Sequence, residues 1–206
     1  MFQRALLFTG GRGPAVDFDR SQIPPCSFVC AADSGIDTAI SLGYTIDEAI
    51  GDFDSISGIE ILESISHTRL PAEKDITDTE AMLIHTRKRG ITEYVLIGGG
   101  EGRFDHLLHL YTLFSHYIPP IQWITAREHI YLVQDSLTLR TLAHAPLSIL
   151  PAIVQGKSTV SSKQLHWELS DYPISMEQQS ISNKATGTTC EITVEGDPVF
   201  VSIPFP

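Results

Sequence analysis

A chain of 206 residues is long enough to bury a real core and suits one large domain or two small ones. Its formal net charge of −11 argues against a nucleic-acid partner, whose phosphates want a basic surface. No apolar run approaches the length needed to span a bilayer, so a membrane protein of the helical kind is not expected.

Met1–Phe8 has one positive charge and too short an apolar core for a secretory signal, and reads as a first β-strand. The run Thr9-Gly10-Gly11-Arg12-Gly13-Pro14 follows. Glycines after a strand can let phosphate approach backbone N–H groups, but the run lacks the spacing of a Walker loop or a dinucleotide fingerprint. The cysteines Cys26, Cys30 and Cys190 suit neither disulfide nor zinc spacing, which points to buried thiols in a reduced, cytoplasmic protein. Ser27 to Ala32 is a second strand ending in Asp33-Ser34-Gly35. A short amphipathic helix comes next, with Ile36, Ala39 and Ile40 on one face and a stop near Gly43.

Glu48-Ala49-Ile50 leads into Gly51-Asp52-Phe53-Asp54-Ser55. Residues 57–66 are expected to be helical with Ile61, Leu62 and Ile65 inward, and His67 to Leu70 a short strand. Thr77-Asp78-Thr79-Glu80 has the capping-box form, with Thr77 as N-cap and Glu80 reaching back; Ala81, Ile84 and His85 carry that helix to Gly90. Arg87-Lys88-Arg89 sits at its end, where cations complement the helix dipole, and is read as capping. Tyr94 to Ile97 is a strand. After the glycine run a helix shows Leu107, Leu110, Tyr111 and Phe114 at i, i+3, i+4 and i+7. Pro119-Pro120 ends it, and Ile121 to Thr125 is another strand.

Alternating strands and helices mean an α/β domain over residues 1–126, with a mostly parallel, Rossmann-like sheet flanked by helices. Ligands of such sheets bind at the carboxyl ends of the strands, where Asp33, Asp52, Asp54 and Asp105 all fall. Residues 127–206 change texture: Ile130–Val133, Leu137–Leu142, Ser148–Leu150, Thr159–Val160, Leu165–Trp167, Glu191–Val194 and Val199–Ile203 are short β-prone runs. They predict a smaller all-β sandwich or jelly-roll domain.

The chemistry concentrates in three acidic segments. Asp52 and Asp54 are two apart, so an extended backbone points both carboxylates one way, with Phe53 facing the core. Asp75 and Asp78 are three apart and share one side of any helical turn. Arg103-Phe104-Asp105-His106 reads as a helix start with Asp105 as N-cap. Clustered carboxylates repel and are costly to desolvate without a cation, so the economical reading is a magnesium ion carrying a polyphosphate such as that of ATP. Basic residues would then hold the phosphate oxygens. His106 and His109 at i, i+3 lack the context of a metal pair. No nucleophile elbow occurs, so covalent catalysis is not expected. Taken by itself, Trp167 reads as a sandwich-core residue.

At these residues the chain resembles the thiamine pyrophosphokinase family. That family carries Ala-Asp-Gly-Gly, Gly-Asp-Phe-Asp-Ser, Asp-Lys-Asp-x-Thr-Asp and Gly-Gly-Arg-x-Asp-His segments in order. Here they stand as Ala32 to Gly35, Gly51 to Ser55, Glu73 to Asp78 and Gly102 to His106. Ser34, Glu73 and Glu101 depart from the pattern, and Glu101 adds negative charge in the loop that approaches the phosphates. The resemblance implies transfer of the diphosphoryl group of ATP to the hydroxyl of thiamine, giving thiamine diphosphate and AMP. It implies magnesium on Asp52, Asp54 and Asp78 with Asp75 nearby, and phosphate on Lys74 and Arg103. Asp105 would orient Arg103 or assist the hydroxyl, and Asp33, Ser55, Thr77 and His106 would line the nucleotide cleft. Trp167 is implied as a stacking platform for thiamine, with Ser182 and Asn183 as polar contacts, in a homodimer. The rival readings are a magnesium-dependent nucleotide or polyphosphate hydrolase and a regulatory nucleotide-binding module without turnover.

Overall fold

The six strands of the first half are β1 (Arg4–Phe8), β2 (Phe28–Ala32), β3 (Glu48–Gly51), β4 (Ser66–Arg69), β5 (Glu93–Ile97) and β6 (Gln122–Ile124). Nearly continuous apolar runs make β1, β2 and β5 among them, as expected where both faces of a sheet are covered. β1 pairs in parallel with β2 and β5, β2 with β3, and β3 with β4, in the order β6-β5-β1-β2-β3-β4. Leu6, Leu7, Phe8, Val95, Leu96 and Ile97 are buried along β1 and β5, whereas edge strand β4 is exposed throughout. This is the computed structural model of the chain and it describes residues 4–205, so Met1–Gln3 of the expected first strand lie outside the described residues. The chain divides into two units: residues up to Leu110 with Trp123–Arg127, and Tyr111–Gln122 with the residues from Glu128 onward.

Among the described residues there are three α-helices. α1 (Gly35–Ser41) buries Ile36 and Ala39, but Ile40 is exposed, so its apolar face is narrower than the spacing suggested. α2 (Asp78–Lys88) begins at the predicted cap: Thr77 is extended and its hydroxyl accepts from the Glu80 N–H at 3.2 Å. Arg89 closes the helix, pairs with Glu48 and lies 4.7 Å over the Phe28 ring, which accounts for the basic run without a ligand. α3 (Phe104–His116) starts one residue before Asp105, so Asp105 sits in the first turn and is not the N-cap. Leu110 and Phe114 are buried, whereas Leu107 on the same expected face is exposed. The helix expected over residues 57–66 is only a 3-10 turn at Ile59–Glu63, with Leu62 as its buried residue. Gly58 and three serines in that stretch favour local turns over a continuous helix.

Close backbone approach fixes two glycines at the carboxyl end of β1. A Cβ on Gly35 would lie 2.5 Å from the Phe8 carbonyl oxygen, and one on Gly98, at φ +102°, would lie 2.4 Å from that of Thr9. Only glycine lets these loops sit on one another.

The second unit is antiparallel. β7 (Glu128–Val133), β14 (Val199–Pro204), β9 (Pro146–Pro151) and β12 (Ser180–Lys184) form one ladder, and β8 (Ser136–Arg140), β13 (Thr189–Gly196), β10 (Ser158–Lys163) and β11 (Tyr172–Ile174) another. Alternate residues of both, among them Ile149, Val160, Ile192, Val194 and Val201, share one buried core, each side chain contributing about 1.5–3 kcal/mol. Leu165–Trp167 is not a strand, only a single bridge from Leu165 to Ala185. Periodicity missed β11, only three residues long with a proline at its centre, and β12, which is mostly polar.

His129 is buried in this unit. Its ring stacks on Tyr131 at 4.1 Å, Nδ1 meets the Tyr131 hydroxyl at 2.9 Å and Nε2 meets Gln122 Oε1 at 3.2 Å. Burial pushes its pKa down to about 4. The unfolded chain therefore takes up a proton near pH 6.5 that the folded chain refuses until about pH 4, and stability falls as pH drops through that window. The full loss is on the order of 3 kcal/mol. Thermal unfolding from pH 7.5 to 4.5 should show this slope, and His129→Gln should flatten it.

Candidate active site

The site is built from loops that leave the carboxyl ends of the parallel strands. Asp33 follows β2 at φ +47°, its N–H bonded to the Ile50 carbonyl at 3.1 Å, which sets it beside the end of β3. Asp52 and Asp54 follow β3, but the segment between them is not extended. Phe53 is left-handed at φ +61° and drops its ring into the core at 3% exposure, so a bend brings the carboxylates together. A non-glycine residue held there costs about 1 kcal/mol or more, offset by burial of the ring. Arg69 braces the bend: it donates to the Asp52 carbonyl at 2.8 Å and lies 5.2 Å over the Phe53 ring.

One oxygen from each of Asp33, Asp52 and Asp54 falls within 4.8 Å of the others. Lys74 is the adjacent cation, with Nζ 2.8 Å from Asp52 Oδ2 and 3.3 Å from Asp78 Oδ1. The Asp52 contact is a true hydrogen bond and holds the Asp52 carboxyl below the usual carboxylate range. The Asp78 contact is an ion pair by distance only. Oδ1 of Asp78 is buried without a hydrogen-bond partner, and burial, reinforced by Asp52 and Asp33, pushes its pKa up despite Lys74. Asp33 Oδ1 is buried and unpartnered as well, while its Oδ2 accepts from the Ser55 hydroxyl. Buried carboxylate oxygens without donors are costly unless a cation or its hydration shell meets them. All of these donors are hard oxygens at the spacing magnesium accepts, so the residues fit such an ion.

The structure therefore adds Asp33 to the Asp52–Asp54 pair and leaves Asp78 beside them on Lys74. Asp75 is exposed and lies ahead of the N-cap rather than in a helical turn with Asp78. Thr77 uses its hydroxyl for capping and also lies 3.4 Å from His109 Nε2. Arg103 forks onto Asp105, Nε to Oδ1 at 3.1 Å, and both are exposed. That pairing lowers the Asp105 pKa and raises that of Arg103. His106 donates its N–H to Asp105 at 3.0 Å and exposes its ring.

Sequence reasoning missed three groups here. Arg69 and the Thr9–Thr79 hydroxyl pair carry no spacing signal, since they meet through the fold. Arg12 and Arg127 converge on Glu101, and only the odd glutamate in a glycine run hinted at it.

In the second unit Trp167 is 56% exposed, which excludes the core reading of this residue. Asn183 is buried and clamps its backbone: Nδ2 donates to the Trp167 carbonyl at 2.7 Å, and Oδ1 accepts from the Trp167 N–H at 3.2 Å. The His166 ring stands edge-on to the indole at 4.4 Å. Asn183 thus spends its amide on holding Trp167 outward. Ser182 is exposed and left-handed at φ +58°.

The profile of the thiamin pyrophosphokinase catalytic domain matches residues 20–122, and no curated protein matches the sequence. The fold is similar to a thiamine pyrophosphokinase from Bacillus subtilis, with 17% identity, TM-score 0.77, and 99% of this chain and 100% of that one covered. It is also similar to a thiamin pyrophosphokinase family protein from Enterococcus faecalis, with 20% identity, TM-score 0.75, and 99% and 100% covered. A thiamin pyrophosphokinase from Candida albicans aligns over 98% of this chain and 90% of its own at 17% identity and TM-score 0.71. The matched profile spans the acidic loops, Lys74 and the Arg103–Asp105 fork. The chain belongs to the thiamin pyrophosphokinase family.

Proposed function

We propose that the Asp33–Asp52–Asp54 centre holds magnesium and the polyphosphate of ATP, and that this is where the reaction of the family takes place. The chain is a thiamine diphosphokinase, transferring the diphosphoryl group of ATP to thiamine. The observation that carries the site assignment is the convergence of three carboxylates and Lys74 on the carboxyl edge of a parallel sheet, with two buried carboxylate oxygens left unpartnered. Asp33, Asp52 and Asp54, with Asp78 at the margin, would hold the ion. Bound there, magnesium would neutralise phosphate charge and act as a Lewis acid toward the transferred group.

The thiamine hydroxyl oxygen bonds to the β-phosphorus and its proton passes to solvent water, while the bond from that phosphorus to the oxygen bridging to the α-phosphorus breaks and AMP departs with the electron pair. Lys74 keeps Asp52 ionised and is placed to move onto a phosphate oxygen when the nucleotide enters. Arg103 presents a planar fork to the polyphosphate and stabilises charge as AMP leaves. Asp105 is a weakened base because Arg103 depresses its pKa, which favours an orienting role over proton abstraction. Ser55 aligns Asp33, Thr77 sets the start of α2, and His106 lines the cleft mouth. Trp167 offers an exposed indole to the cationic aromatic thiamine, and Ser182, next in the chain to the Asn183 that holds Trp167, would be a polar contact.

We read the first unit as Rossmann-like and the second as a jelly-roll-like sandwich, in a cytoplasmic homodimer. Among the described residues no helix is long and apolar enough to cross a membrane. The deciding experiment is incubation with ATP, magnesium and thiamine, and identification of both products. AMP and thiamine diphosphate, formed only together, are expected. ADP with thiamine monophosphate would contradict the transfer, and AMP without thiamine would indicate a hydrolase.

A further inference from the structure

Arg12 and Arg127 come from loops at the ends of β1 and β6, and both point at one carboxylate, Glu101, in the loop after β5. Arg12 reaches Glu101 Oε2 at 3.3 Å, and Arg127 Nε bonds Oε1. The loops themselves are zipped together: the Arg12 N–H donates to the Gly100 carbonyl at 2.8 Å, and the Gly99 N–H to that of Gly10 at 2.8 Å. Arg127 is tied back by its N–H to Thr125 Oγ1 at 3.2 Å.

The asymmetry of exposure is informative. The arginine side chains are 79% and 78% exposed, whereas Glu101 is 28% exposed and held at φ +44°, a conformation that a non-glycine residue adopts at a cost. An exposed pair contributes about 1 kcal/mol or less, too little to justify that conformation on stability grounds. The same edge carries the acidic centre. Gly10 packs against Ser34, next to Asp33, and Thr9 bonds Thr79, next to Asp78.

We propose that Arg12 and Arg127 form a further phosphate subsite of the nucleotide cleft, and that Glu101 is a built-in competitor occupying it until the nucleotide arrives. This rests on the reading that the acidic centre binds magnesium ATP. The Glu101 carboxylate stands where a phosphate oxygen of the nucleotide will be. Two guanidinium groups converging on a single anion suit a phosphate, whose several oxygens can accept from both. Glu101 sets affinity: binding must displace it, so it weakens ATP and eases release of nucleotide product.

The test is calorimetric titration of the full-length protein with magnesium ATP, with magnesium tripolyphosphate and with adenosine. E101Q keeps the side chain's size and removes its charge; it should tighten magnesium ATP and tripolyphosphate about 3- to 10-fold. The double variant R12A/R127A should weaken both about 10-fold or more, with a shallower salt dependence. Adenosine should bind all three proteins alike. An E101Q protein with ATP affinity within about twofold of the original and a lower Tm would overturn the proposal and make Glu101 a surface clip. Wild-type protein that converts ATP and thiamine to products while the arginine double variant binds ATP normally would overturn the subsite alone. Wild-type protein that binds no magnesium ATP would overturn the nucleotide cleft and the subsite with it.

Discussion

Asp54→Asn is expected to lower kcat by about two to three orders of magnitude, or roughly 3–4 kcal/mol of transition-state stabilisation, while leaving the fold intact. Asp54 is exposed, and the hydrogen bond it makes to Asp52 comes from its backbone N–H, so the amide substitution disturbs no packing. What changes is one charged oxygen in a three-carboxylate group. Asparagine keeps one weaker oxygen ligand and puts a donor where the proposed cation would be held. Steady-state kinetics with varied magnesium, alongside thermal unfolding, separates the two contributions. An unchanged Tm with a kcat restored by high magnesium places the loss in metal affinity, and an unchanged Tm without rescue places it in the chemistry. A variant with normal kcat at low magnesium would remove Asp54 from the site.

Trp167→Ala should raise the thiamine KM about 10- to 100-fold and leave the ATP KM within about twofold. With 56% of the residue in solvent, its removal costs little packing, so Tm should hold within a few degrees. Asn183→Ala is the companion variant. It leaves the indole in place but frees the backbone at Trp167, and it orphans buried partners, costing about 1–3 kcal/mol of stability. Thiamine KM should therefore rise in both variants while Tm falls only in the second. Equal changes in both KM values for Trp167→Ala would sink the assignment of the indole to thiamine.

Where local periodicity decides structure, the sequence could be read. Apolar runs foretold β1, β2 and β5, and the Thr77 cap marked the first residue of α2. Where position depends on what another segment covers, it could not. Leu107 repeats at helical spacing with Leu110 and Phe114 yet lies in solvent, and Trp167 looks like core but is held outward by Asn183 from a strand sixteen residues away. Asp33 was legible as a strand-end carboxylate, but its place with Asp52 and Asp54 depends on the left-handed turn at Phe53. No propensity assigns that turn to a phenylalanine. Charges facing each other across loops, as at Lys74 and Glu101, are products of three-dimensional closure and leave no mark in spacing.

The glycine contacts at the end of β1 bear on the thermodynamics of nucleotide capture. Gly35 and Gly98 lie so close to the Phe8 and Thr9 carbonyls that no side chain fits, and Thr9, Gly99 and Arg12 all spend their N–H groups on neighbouring strands or loops. Amides bonded this way exchange with solvent slowly compared with those of free loops. The loops at this edge of the sheet are thus held by their own hydrogen bonds before any ligand arrives. Capture of a nucleotide there would demand little loss of backbone entropy.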